Sequence, residues 1–336
     1  MRVSDPDDEF SFLPAQAAEL GVPAVPQVQR LQLTLDDGRT LSALRYGAPA
    51  GPEVTLLHGA GLNAHTWDAT VLALGVPALA LDLPGHGDSA WRDDADYSPR
   101  SLTPDVIRAM REWTDRPQVL VGQSLGGVTA AAVAAAAPEL VRALVIVDIT
   151  PGVEPAAGPS QLREFFAGPT DWASRDELVD RALAFGFGGG SREATARGVA
   201  LNSRIRPDGR VEWKHHYAHL AAARAADPDA AAAARAGRAT ADIGRDVLMA
   251  ASWGDFEAAS VPLTLVRGAR GYVTEADAAE FARRLPDATV VTLPAGHNVQ
   301  EELPRELGLL VADAASRRGP ARAEGPPDTR PGPRGA

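Results

Sequence analysis

The chain has 336 residues, 45% hydrophobic and 23% charged, which suffices for one large core with an inserted or appended subdomain. A formal net charge of -11 without a basic stripe argues against nucleic acid as a partner, and the absence of cysteine excludes disulfides, thiolate nucleophiles and cysteine metal sites. No apolar run reaches the roughly 18 to 20 residues of a membrane helix, and MRVSDPDDEF lacks the cationic-then-apolar pattern of a signal peptide, so a soluble, cytoplasmic protein with no membrane association is expected.

Residues 1–24 are polar and punctuated by proline, with one apolar patch near Phe10 to Leu13, and read as a loosely packed arm without a chemical role. VQRLQLTL (28–35) and TLSALRYG (40–47) flank Asp37-Gly38 and read as an antiparallel hairpin. Four short runs follow that are apolar without alternating: VTLLH (54–58), ALALD (78–82), QVLVG (118–122) and ALVIVD (143–148). Strands apolar on both faces and separated by helical stretches indicate a mostly parallel central sheet with helices on both sides, an α/β class. The rhythm breaks over 151–260, where helical segments such as 177–186 and the alanine-rich 218–236 occur without a convincing strand. An insertion there would cap the C-terminal edge of the sheet, where open α/β sheets bind ligands. The alternation resumes with PLTLVRG (262–268), helical EADAAEFARRL (275–285) and ATVVTLP (288–294). The expected organisation is a core of 25–150 and 261–315, a helical cap of 151–260, and a tail of 316–336 too poor in apolar surface to order itself.

Residues 118–139 carry the most informative pattern: an apolar strand, Gly122-Gln123-Ser124-Leu125-Gly126, then an alanine-rich helix ending at Pro138. A serine on so sharp a strand-to-helix turn projects its hydroxyl above the sheet, and the glycines remove side chains where the two backbones crowd. Earlier, Leu56-Leu57-His58-Gly59-Ala60-Gly61 closes a strand with a loop small enough for a backbone N–H to approach a substrate oxygen. The N–H groups of Ala60 and Leu125 would form an oxyanion hole. His58 and His86, the latter in Asp82-Leu83-Pro84-Gly85-His86-Gly87-Asp88-Ser89, read as internally bonded residues of rigid loops.

The base of such a serine lies last in the chain, and His297 follows the final strand in ATVVTLPAGHNVQEELP. His215, His216 and His219 fall in the insertion and read as solvent-exposed, with a substrate contact by one of them as the alternative; no carboxylate or cysteine completes a metal pattern around them. The acid is open. The loop after PLTLVRG, Gly268 to Thr274, has no carboxylate. Asp148 at the end of the preceding strand is one candidate; Asp277 or Glu275 is another, although Thr274-Glu275-Ala276-Asp277 resembles a helix start; a dyad without an acid is the third. Aromatic residues cluster in the insertion at Phe165, Phe166, Trp172, Phe185 and Phe187, then at Trp213 and Tyr217, and would suit a mostly apolar pocket.

LLHGAG (56–61), DLPGHGDS (82–89) and VGQSLGG (121–127), with PAGHNVQEELP (294–304) in the place of the histidine loop, resemble the α/β-hydrolase superfamily in its serine-nucleophile, esterase-like branch with a helical cap. The resemblance implies Ser124 as nucleophile, His297 as base, Ala60 and Leu125 as the oxyanion hole, and cofactor-free cleavage of a small-molecule ester or related carbonyl compound through an acyl-serine. It departs at Gly271, where the family usually has its aspartate; some members carry the acid after the preceding strand, where Asp148 falls. Carbon–carbon hydrolysis, perhydrolysis, or a non-catalytic ligand-binding role on the same fold are the competing expectations.

Overall fold

The computed structural model describes residues 9–47, 50–153, 164–185, 191–227 and 252–316. Phe187, the tail beyond Ser316 and residues 228–236 of the alanine-rich 218–236 stretch lie outside them.

Strands β1 (Val28–Thr34) and β2 (Thr40–Tyr46) form the expected antiparallel hairpin, closed at Asp37-Gly38 with Gly38 at φ 83. Then follow β3 (Val54–Leu57), β4 (Ala78–Asp82), β5 (Gln118–Gln123) and β6 (Val141–Val147). The insertion contributes β7 (Ser203–Ile205) and β8 (Val211–Trp213), and the core ends with β9 (Leu263–Gly268) and β10 (Thr289–Leu293). Eight of these make one sheet in the order β1-β2-β4-β3-β5-β6-β9-β10, parallel from β4 to β10.

Helices α1 (Leu13–Glu19), α2 (Asp68–Leu74), α3 (Pro99–Trp113) and α4 (Leu125–Ala136) precede the insertion. Within it lie α5 (Arg175–Ala184), α6 (Arg192–Asn202), α7 (Tyr217–Ala226) and α8 (Trp253–Ala258). The chain closes with α9 (Glu275–Arg284), α10 (Val299–Glu302) and α11 (Pro304–Ser316). No helix among the described residues is long and apolar enough to cross a membrane.

The absence of alternation in the central strands has a direct cause. Leu120, Leu144 and Ile146 point into one cluster with Val106 of α3, Val133 of α4 and Phe281 of α9. Their neighbours Val121, Val145 and Val147 point into the other, with Val71 of α2 and Val311 of α11. Both faces are buried, at about 1.5–3 kcal/mol per large side chain, so polar residues are few in these runs and pair where they occur, Thr55 Oγ1 donating to Gln118 Oε1 at 3.2 Å.

Three features differ from the sequence reading. The insertion is not purely helical: β7 and β8 pair antiparallel across a turn with Gly209 at φ 81, and Leu178, Val199 and Trp213 form its own small core. Strands of three residues are too short to show a period, although Pro207-Asp208-Gly209 is a turn signal. Helix α8 packs with the core, Phe256 meeting Phe281 edge-on at 6.1 Å. The N-terminal arm is anchored: Leu13 and Ala17 are buried against Leu72, and Glu9 reaches Arg30 and His65.

Candidate active site

Strand β5 runs into α4 through Ser124, which has φ 53 and ψ -119. A non-glycine residue there costs on the order of 1–3 kcal/mol and is sustained by its surroundings. Ser124 N donates to Val147 O at 3.1 Å, and its own carbonyl accepts from Gly127 N and Val128 N at 2.8 and 3.1 Å. A Cβ on Gly122 would lie 2.2 Å from Gly126 O, and one on Gly126 would lie 2.2 Å from Leu57 O. Only hydrogen at these positions lets α4 close against β5 and the end of β3. Ala60, on the loop after β3, shares a cavity wall with Ser124. Leu125 opens α4, so its N–H has no intrahelical carbonyl one turn back. Neither Ala60 N nor Leu125 N donates to a backbone carbonyl among the described residues.

The parallel register pairs Gln123 with Val147 and Val147 with Val266. Ser124 and Asp148 therefore leave the sheet side by side at its C-terminal edge. Asp148 has φ 50 and is fully buried. Its Oδ1 accepts from Gly268 N at 2.9 Å; its Oδ2 accepts from Tyr272 N at 2.6 Å and faces His297 Nδ1 at 2.8 Å. The loop bearing His297 is pinned by Arg270, which donates to Pro294 O and to Glu302, while Glu302 accepts from Gly296 N. Gln123 Nε2 reaches His297 O at 3.3 Å from below. Tyr272 stacks on the imidazole with ring centroids 3.6 Å apart and planes 12° from parallel. Burial, reinforced by the Asp148 charge, pushes the Tyr272 hydroxyl up to about 12, so the stacking ring stays neutral.

Of the carboxylates considered, Asp148 meets His297. Asp277 closes a capping box, its Oδ2 accepting from Thr274 N at 2.9 Å while its own N–H donates to Thr274 Oγ1 at 3.1 Å. Glu275 is exposed in the first turn of α9. The contribution of Tyr272 escapes sequence reasoning, because its pairing with His297 depends on β9 lying beside both β6 and β10.

The remaining histidines divide. His58 is buried, with Nδ1 at 2.8 Å from Gly59 O and Nε2 accepting from Leu83 N at 3.0 Å. Burial pushes it down to about 4 against the opposing Gly59 bond, so it ties two loops together as a neutral ring. His86 faces Pro84 O at 3.0 Å and is pushed down to about 3 by burial and then by His58. In the insertion, His215 is fully buried, contrary to the exposed reading of that trio. His216 stacks on Trp91 and meets Tyr97 Oη at 2.8 Å; His219 faces Glu212 at 3.3 Å.

Ser124 and His297 open into a cavity of about 760 Å³ between sheet edge and insertion. Phe165, Phe166 and Trp213 form its apolar wall. Trp172 and Phe185 instead pack around Arg181, and Tyr217 joins the core beside His86. The opposite wall is polar and includes Gln16 and Glu19 of α1, so the arm reaches the site after all. Glu301 also lines it; burial pushes its carboxyl above the usual range, opposed by bonds from Thr66 and Asn298.

A family model described as "Alpha/beta hydrolase family" matches residues 56–307. Esterase Rv0045c of Mycobacterium tuberculosis is 37% identical over 311 residues, covering 89% of this chain and 93% of that protein. A solved structure of the same M. tuberculosis esterase superposes with a TM-score of 0.75 at 35% identity, covering 92% of this chain and 99% of the other. The mouse sn-1-specific diacylglycerol lipase ABHD11 is 26% identical over 269 residues, covering 76% of this chain and 78% of its own length.

Proposed function

The chain belongs to the alpha/beta hydrolase family, and from that premise we propose that it is a serine esterase acting on small, mostly apolar esters through an acyl-serine intermediate. The observation that carries this reading is the 2.8 Å contact between Asp148 Oδ2 and His297 Nδ1 at the sheet edge where Ser124 sits on its strained turn. Nδ1–H donates to the carboxylate, which leaves Nε2 as the basic nitrogen. His297 Nε2 takes the Ser124 proton as Oγ attacks the ester carbonyl carbon. The N–H groups of Ala60 and Leu125 receive the oxyanion, and the first turn of α4 adds its dipole. The tetrahedral adduct collapses, the C–O bond to the leaving group breaks, and His297 returns the proton to the departing alcohol. Water, deprotonated by the same nitrogen, then attacks the acyl-serine and releases the carboxylic acid and free Ser124.

Ester cleavage fits the esterase relative, which is aligned over most of both chains. The aromatic wall of Phe165, Phe166 and Trp213 suits an apolar acyl or alcohol group. Gly271 lacks the carboxylate usual at its place, which on sequence grounds motivated the non-catalytic alternative; the 2.8 Å contact of Asp148 with the same imidazole supports the catalytic reading instead.

The reading is tested with an alkyl fluorophosphonate probe, which phosphonylates only an activated serine. Intact protein should be labelled, with the adduct on Ser124, and should hydrolyse p-nitrophenyl butyrate. Ser124→Ala should lose both while keeping its thermal unfolding midpoint, because the change leaves no cavity. Retention of turnover in that variant overturns the assignment.

A further inference from the structure

The esterase mechanism leaves a buried histidine of the cavity wall unused. His215 follows β8, is fully buried, and forms part of the wall that also holds Ser124 and His297. Its ring is clamped, edge-on to Phe166 at 4.9 Å and stacked on Trp213 at 5.6 Å. A Cβ on Gly61, one residue past Ala60, would lie 3.8 Å from His215 Cδ2, so the ring stands over the loop expected to receive the oxyanion. Neither ring nitrogen has a hydrogen-bond partner among the described residues. Burial, then the neighbouring His86 and His219, hold the ring well below its ordinary pKa. A neutral imidazole offers one N–H donor and one acceptor, and here neither is committed, so either tautomer is available.

Native interiors leave few polar atoms unmet, and those that remain call for an explanation. The Nε2 of His86 and the hydroxyl of Tyr217 are also unpartnered, but neither residue lines the cavity; Gln16 Oε1 and Gln123 Oε1 are unpartnered atoms of residues that do line it, and both are acceptors only. Among the described residues with such atoms on the cavity, His215 alone offers an N–H donor, and two aromatic rings hold its plane. A polar point in an otherwise apolar wall orients a ligand that carries a matching polar atom. An ester with only alkyl chains would enter with His215 still unpaired, and a buried donor left unpaired discriminates against the ligand that fails to meet it.

We propose that His215 is a specificity-determining residue that donates its N–H to a second oxygen of the substrate, so that the site prefers esters bearing an ether, hydroxyl or carbonyl oxygen a few atoms from the scissile carbonyl over plain alkyl esters. This rests on the serine-esterase reading above. It narrows the substrate class from apolar esters to oxygenated ones of similar size.

The test is a set of matched esters: hexyl hexanoate and analogues in which one CH₂ is replaced by an ether oxygen, walked along the acyl chain and then along the alcohol chain. Acid release gives kcat/KM for each. Intrinsic reactivity cancels when the oxa-to-alkyl ratio of the wild type is divided by that of His215→Phe. At one or two adjacent oxygen positions this double ratio should reach about tenfold, and His215→Gln, which keeps a donor, should retain part of it. His215→Leu replaces His215→Phe if the latter does not fold. A double ratio within twofold at every position overturns the proposal, as does an equal loss on all esters, which marks a structural role. Fluorophosphonate labelling separates the two readings. A wild type that labels on Ser124 but shows a flat ratio sinks only the His215 assignment, whereas an unlabelled wild type sinks the esterase reading itself.

Discussion

A Cβ on Gly271 would lie 2.2 Å from Oδ2 of Asp148, so the space that a side chain at position 271 would fill is already occupied by the Asp148 carboxylate. The two positions are alternatives. A carboxylate at the end of β6 requires glycine after β9, and the departure from the usual family pattern and the presence of Asp148 are one feature.

Replacing Asp148 and Asp277 by asparagine separates orientation of the imidazole from helix capping. Asp148→Asn should lower kcat on the order of 10³ to 10⁴-fold, because the amide does not hold the imidazolium charge. Its NH₂ must also face a backbone donor, Gly268 N or Tyr272 N, and that clash should cost about 1–3 kcal/mol of stability. Asp277→Asn should cost a few tenths to about 1 kcal/mol through α9 and leave kcat within twofold. Steady-state kinetics and urea unfolding of both variants check this. A larger kcat effect at Asp277 would move the acid there.

How much of this was legible follows from range. The elbow is local: strand, glycines, serine and helix lie within 118–136, and hydrophobic pattern plus turn chemistry suffice to read them. The central strands were legible because both faces are buried. The acid was not decidable, because Asp148 meets His297 only through the adjacency of β6, β9 and β10, and 149 positions separate the two residues. His215 was misread for the same reason. Beside His216 and His219 it resembles a polar surface trio, yet Phe166, from far earlier in the chain, and Trp213 bury it. Helix α1 hid because Leu13 and Ala17 are the only apolar side chains that its seven residues bury.

Glycines that look alike in the sequence should respond oppositely to alanine. At Gly126 the new Cβ would meet Leu57 O at 2.2 Å and His58 O at 2.6 Å, both backbone atoms that cannot turn aside. Gly126→Ala should lose about 2–4 kcal/mol, at or above the usual range for overpacking, and its Ser124 should label poorly. Gly198, inside α6, has nothing within 4 Å of the added carbon. Gly198→Ala should gain about 0.5–1 kcal/mol, visible as a rise of a few degrees in the unfolding midpoint. A stable, active Gly126→Ala protein would refute the account of the elbow.

The N-terminal arm should be held most firmly in a defined pH window. Burial disfavours the charged form of Glu9, but bonds from His65 and Arg30 outweigh it and bring the carboxyl down to about 2. Burial likewise opposes the charge on His65, and Asp68 with Glu9 overcomes it, raising the ring to about 9. Arg30 also faces Asp82 and Asp88, and Tyr46 donates to Asp68, so the cluster has further anchors. The depressed Glu9 contributes stability above about 4.5 that fades as pH falls toward 2. The elevated His65 contributes below about 6.5 and is lost as pH rises through 9. Amide exchange across Leu13–Glu19, corrected for intrinsic rate, should show maximal protection between about pH 4.5 and 6.5 and fall on both sides. Glu9→Gln should flatten the profile and cost about 2 kcal/mol locally. Protection that is constant from pH 5 to 9 in the wild type would show that His65 does not hold the arm.

The mutual exclusion of side chains at 148 and 271 makes the carboxylate proposed to orient His297 movable. Asp148→Gly removes the carboxylate and suits the φ of 50 at that position, so backbone strain falls as the acid is lost. Alone it should reduce kcat by about 10³-fold or more, since His297 keeps no charged partner. Gly271→Asp alone forces a side chain into the Asp148 carboxylate and brings two like charges together, so it should destabilise the protein and lower activity. Together the substitutions relieve each other. The Cβ at 271 enters the space left by the Asp148 side chain, and its carboxylate can turn one oxygen toward the nitrogen that now lies 2.8 Å from Oδ2. The double variant should recover at least tenfold in kcat over Asp148→Gly, and its stability should exceed that of Gly271→Asp. This is a strongly non-additive cycle, as expected for two sites competing for one volume. Kinetics and unfolding on all four proteins complete it. If the double variant is no faster than Asp148→Gly, the geometry at 271 does not serve the imidazole, and the acid is confined to the end of β6.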